Sequence, residues 1–119
     1  MTHSEHFDAL GTDPQDVLAP GSGEYLVITS IMVTGKMASG SGRIILIDSA
    51  TGLDVASGDF GDSEGGFVWP IGGDGIKLSA ADAKLQVKST AADTVATVNV
   101  TARGVEVASS YTVPDLTLQ

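Results

Sequence analysis

The chain contains no cysteine, which excludes a disulfide framework, a thiolate metal site and a cysteine nucleophile. Histidine is nearly absent as well. The only two, His3 and His6, lie at the very start of the chain, so a hydrolytic triad, which needs a histidine held rigidly beside its nucleophile, is not expected. Basic side chains are scarce: 6 Lys and Arg stand against 15 Asp and Glu, a formal charge of -9. Nonspecific binding to nucleic acid or to an anionic membrane needs clustered cations, and this balance argues against both. No run approaches the roughly 20 apolar residues of a membrane-spanning helix. Met1-Thr2-His3-Ser4-Glu5-His6 has no basic start and no apolar run behind it, so no secretory leader is expected.

Other chemistry is missing by pattern. No acidic residue lies inside an apolar run, whereas glycoside cleavage needs one carboxyl in an apolar pocket. The glycine runs Gly21-Ser22-Gly23, Gly40-Ser41-Gly42 and Gly72-Gly73-Asp74-Gly75 are followed by no Lys-Ser/Thr pair and open no helix. They read as turns, not phosphate loops. Asp59, Asp62 and Glu64 crowd one glycine-rich loop, and a calcium site there is the alternative to plain turn chemistry. The loop lacks the EF-hand ligand spacing, and Asp and Gly are what turns select. A non-enzymatic protein without a cofactor is the expectation.

What is present specifies β-structure. At 119 residues the chain is one domain in size. Residues 1–14 show no periodicity and read as an irregular N-terminal arm, with the folded domain over 15–119. Gly23–Thr34 is long for a strand, rich in β-branched residues and apolar on both faces. Tyr25, Val27, Thr29, Ile31 and Val33 share one face, and Leu26, Ile28, Ser30 and Met32 the other. Arg43–Asp48 is also apolar on both faces, whereas Ala83–Lys88 and Thr94–Arg103 alternate cleanly with one wet face. Shorter strands are expected at Gln15–Ala19, Leu53–Ser57, Phe67–Ile71 and Ile76–Leu78, with Pro70 marking an edge or a strand end. At Gly104 the apolar parity switches from even to odd, which predicts a glycine bulge or a strand crossing between sheets. A C-terminal strand extension begins at about residue 108. Trp69, two residues from Phe67 on one strand face, is expected in the core. About eight or nine strands at sandwich spacing predict an all-β fold: a two-sheet antiparallel β-sandwich, with a jelly roll as the specific topology.

Several segments carry a resemblance. They are Leu18-Ala19-Pro20-Gly21-Ser22-Gly23 entering Val27-Ile28-Thr29-Ser30-Ile31; Ile45-Leu46-Ile47-Asp48 with Thr51-Gly52; Gly65-Gly66-Phe67-Val68-Trp69-Pro70; Ala83-Lys84-Leu85-Gln86-Val87; and Thr97-Val98-Asn99-Val100-Thr101. In this arrangement the chain resembles small, glycine-rich tailed-bacteriophage virion proteins in which a short N-terminal segment precedes a jelly-roll-like domain. The stretch from Ala108 to Gln119 is longer than that pattern. The resemblance implies a head decoration, or cementing, protein that binds the major capsid protein on the capsid surface as a homotrimer. A head-fibre base or a tail protein fits it too. Virion localisation after synthesis in the host cytoplasm would follow.

Two sets of residues are then expected to make contacts. The unpatterned arm, with His3, His6, Phe7 and Leu10, would order on the capsid, and its deletion would abolish binding while leaving the fold intact. The second apolar face of the long strand needs a cover that a two-layer sandwich does not supply, and an oligomer partner is the simplest one. Tyr25, Val27, Ile31, Tyr111 and Val113 are the residues expected there. A carbohydrate-binding sandwich using Trp69, Tyr25 or Tyr111 is the reading from a different class; it predicts an exposed Trp69.

Overall fold

The computed structural model describes residues 2–71 and 75–105. Tyr111, Val113 and the extension from about residue 108 lie outside the described residues. Among the described residues there is no helix, and the strands are β1 (Thr2–Leu10), β2 (Gln15–Leu18), β3 (Tyr25–Lys36), β4 (Gly42–Asp48), β5 (Asp54–Phe60), β6 (Gly65–Pro70), β7 (Ile76–Lys77), β8 (Leu85–Ser89) and β9 (Thr94–Val105). They form a five-stranded sheet in the order β1-β9-β3-β6, with β7 also on β3, and a four-stranded sheet in the order β2-β8-β4-β5. Every pairing is antiparallel. The expected all-β sandwich is what forms. With β7 set aside, β1, β9, β3 and β6 hold the same places in one sheet as β2, β8, β4 and β5 in the other.

One core joins the sheets. Ile31, Val33, Val98 and Val100 come from the larger sheet, and Ile44, Leu46, Leu85 and Val87 from the smaller. The clean alternation of β8 and β9 puts their odd and even residues respectively into this core, as the sequence pattern demands. A buried polar cluster lies among them. The Ser89 and Thr94 hydroxyls are 2.7 Å apart, and Thr94 also donates to the Ala91 carbonyl at 2.9 Å. No hydroxyl is left without a partner, which is the condition for burying one.

The long strand β3 resolves differently from its sequence pattern. Between Ile28, which pairs with Ala102, and Ser30, which pairs with Thr101, the register shifts by one residue. Thr29 is the extra residue of a β-bulge, and its hydroxyl donates to the Thr101 carbonyl at 3.1 Å. The bulge reverses the parity. Leu26 and Ile28 point into the core before it, and Ile31 and Val33 after it. Most of the apolar residues on both nominal faces therefore enter one core. Val27 is also buried but stands outside the core cluster. Gly75, at φ +83°, brings its backbone against the Val27 side chain, so part of that second face is covered from within the chain.

Two other expectations need correction. Residues 2–10 are not an irregular arm but a strand, paired with β9 from Thr2↔Thr101 to Leu10↔Thr94. Its charges hid it, because an edge strand is only partly covered and tolerates His3 and Glu5 on the side that faces the core. No register shift occurs at Gly104, which pairs regularly with Leu26; the irregularity is on the partner strand. A side chain at Gly104 would displace the Glu24 carboxylate.

Candidate binding face

The outer face of the five-stranded sheet follows from its registers. Thr2, Thr101 and Ser30 form one row across it, Ser4, Asn99, Met32 and Val68 the next, and His6, Thr97, Thr34 and Gly66 a third. No carboxylate occupies these rows. Lys36 lies at one end of the face; Arg103 and Lys77, flanking Val27, lie at the other. The Lys77 ammonium sits 5.0 Å from the centre of the Tyr25 ring, a cation–π geometry. Met32 and Val68, paired across β3 and β6, are 42% and 60% exposed. On a chain with net charge -9, the three central rows of this face carry no carboxylate; Asp8, paired with His6, lies at its margin.

The opposite outer face has another character. Asp16, Gln86 and Ile47 share one row, and Arg43 and Asp59 are paired in another. It carries two ion pairs, Arg43–Asp59 at 3.0 Å and Lys84–Asp16 at 3.2 Å. The Gln86 amide, and after it Lys84, hold the Asp16 carboxyl below its ordinary value.

A cavity of about 240 Å³ opens between the β4–β5 turn and β7, lined among others by Asp48, Leu53, Ile76 and Ser79. Asp48 is its buried charge, and that charge is committed to the fold. One carboxylate oxygen accepts from the Ala50 amide at 2.9 Å and the other from the Ser79 amide at 2.8 Å. Burial penalises the charged form, yet the amides of Ser79, Ala50 and Thr51 outweigh it and keep the carboxyl below its ordinary value. The group ties the β4–β5 turn to the segment that follows β7, and the other charged residues lining the cavity are Asp54 and Lys77.

The residues expected at contacts are scattered. His3 and His6 fall on opposite sides of β1. His3 Nε2 lies 2.8 Å from Glu5, and His6 bridges Thr97 at 2.7 Å and Asp8 at 2.9 Å. Leu10 is buried in the core and Phe7 packs against it, so neither is free to anchor on another surface. Ile31, expected at an oligomer interface, is a core residue at 1% exposure. Tyr25 and Val27 do lie on the outer side of the sheet. Trp69 is not in the core cluster; it stands at the rim of β6, 41% exposed. Among the described residues no group of three or more His, Asp or Glu side chains could hold a metal, the acidic loop included. The open face itself escaped the sequence, because its rows join residues as distant as Thr2 and Thr101.

No protein-family model matches the chain, and no curated protein matches it either.

Proposed function

We propose that this protein is a non-enzymatic structural component that docks on a large protein assembly through the outer face of its five-stranded sheet. The carrying observation is that the three central rows of that face hold no carboxylate in a strongly acidic chain, the nearest being Asp8, which is paired with His6 at the margin. The sequence resemblance makes the assembled bacteriophage capsid the partner of choice, with the protein acting as a decoration protein on its exterior. The matched order of the two sheets supports reading the sandwich as a jelly roll. This reading moves the docking residues from the arm to Met32, Thr34, Asn99 and Thr97. Binding only to the assembled shell would stabilise it by mass action, about 2.7 kcal/mol per site at a free concentration 100 times Kd.

The test is co-sedimentation with capsids built from the major capsid protein of the encoding phage. Met32→Glu places a carboxylate at the centre of the face and should abolish co-sedimentation, while Ser57→Glu on the opposite sheet should leave it intact. Equal binding by both variants overturns the reading. The exposure of Trp69 favours a second one, carbohydrate binding. A change in Trp69 fluorescence on adding glycans, with no capsid binding, would put that reading in its place.

A further inference from the structure

Among the described residues, four places in the two sheets are edges: β1, the β6–β7 line, β2 and β5. An edge strand presents unpaired N–H and C=O groups to any other strand, and proteins blunt edges with charge, shortness or proline. Here β1 carries Glu5 and Asp8, β5 carries Asp54 and Asp59, and β2 is only 4 residues long with Asp16 inside it. The exception is β6. From Gly65 to Trp69 it has no charged side chain, and Pro70 blunts only its last position. The exposed large apolar residues gather beside it: Met32, Val68, Trp69 and Ile76 all lie on β3, β6 and β7, with Leu53 alone elsewhere.

We infer that β6 is an association edge and that its occupant is β6 of a second copy, paired antiparallel about a twofold axis near Phe67 and Val68. Charge favours this direction. Glu64 precedes β6, while Lys77 continues its line past Pro70, because β6 and β7 pair with the same side of β3. In the antiparallel arrangement the Glu64 end of each copy meets the Lys77 end of the other; a parallel one would set like ends together. The pairing merges two five-stranded sheets into one, and their outer faces become continuous. From strand spacing and rise, one face covers ~700 Å², short of the ~800 Å² per partner of a standard interface. Two joined faces exceed it. The pairing stands on the edge alone and holds whatever the outer face binds.

Sedimentation equilibrium over a range of protein concentrations tests it. The wild-type chain should be a dimer, and Val68→Lys should weaken dimerisation at least tenfold with circular dichroism and melting unchanged, since this side chain is already exposed. Amide exchange at Phe67–Trp69 should slow as wild-type concentration rises, and should not depend on concentration in the variant. A wild-type monomer, a trimer, or a dimer indifferent to Val68→Lys overturns the inference. Met32→Glu separates it from the docking proposal. That variant should still dimerise if β6 pairs as inferred, whether or not the outer face binds capsids.

Discussion

At the scale of single residues, Asp48 is the clearest case of a charge spent on structure. Its carboxylate receives two backbone amides, from Ala50 and Ser79, at a site only 6% exposed. Replacing it with alanine orphans both amides. A hydrogen bond to a charged group contributes about 1.5–3 kcal/mol, so Asp48→Ala should lower stability by roughly 3 kcal/mol, read as a shift of the urea midpoint without a change in slope. The pH dependence has a definite sign. The folded-state pKa of Asp48 is depressed, so its contribution is fully present above the unfolded value of about 3.9 and disappears as pH falls through the lower folded value. Stability should therefore be flat in this respect above about pH 5 and decline below about pH 4. Asp48→Asn should be less stable at neutral pH and lose less on acidification. Asp16 shifts the same way, but its side chain is 55% exposed and solvent screening makes its share small.

At the scale of elements, the bulge at Thr29 decides how β3 is used. Deleting Thr29 would remove the parity change, and Leu26 and Ile28 could then not face the core together with Ile31 and Val33. Each buried aliphatic side chain contributes about 1.5–3 kcal/mol, so the deletion should cost ~3–6 kcal/mol, most of the margin of an ordinary domain. Thr29→Val keeps the extra residue and loses only the hydrogen bond to Thr101, about 1 kcal/mol. Thermal melts of the two variants should differ accordingly, and similar melts would remove the bulge from its role. The same element shows what the sequence could and could not reveal. Strands such as β8 and β9 were legible because their period of two runs unbroken. In β3 the period changes phase at Thr29, a residue like its β-branched neighbours, so one core-facing series read as two apolar faces. The parity change expected at Gly104 does not occur, since Gly104 and Val105 stay in regular register opposite Leu26 and Tyr25; the one irregularity between β3 and β9 is the Thr29 bulge, which no turn residue marks. β1 stayed hidden because its residues on the core side, His3 and Glu5, are polar. The docking face was illegible for a related reason: the carboxylate-free central rows appear only when β1, β9, β3 and β6 are set side by side.

At the scale of the whole molecule, the first described strand is paired with the last. Thr2 lies opposite Thr101, and β1 covers the edge of β9 that would otherwise be open. Such pairings close long loops and form late, so the fold is expected to assemble slowly for its size. They also make the N-terminal segment structural. Removing residues 1–11 takes Leu10 out of the core and Phe7 off its margin, and it uncovers β9, where Thr97, Val98, Asn99, Val100 and Thr101 carry no charge to blunt an edge. The truncated chain should lose several kcal/mol, given that a buried Leu→Ala change alone costs about 2–5 kcal/mol, and it should aggregate at concentrations where the full chain remains soluble. Full-length Leu10→Ala separates the two effects: it should be destabilised by the core term alone and stay soluble, because β1 still covers β9. The comparison requires light scattering and a denaturant melt on both proteins. A truncated chain as stable and soluble as the full one would return residues 1–11 to the status of an appended arm, and the five-stranded sheet would then end at β9.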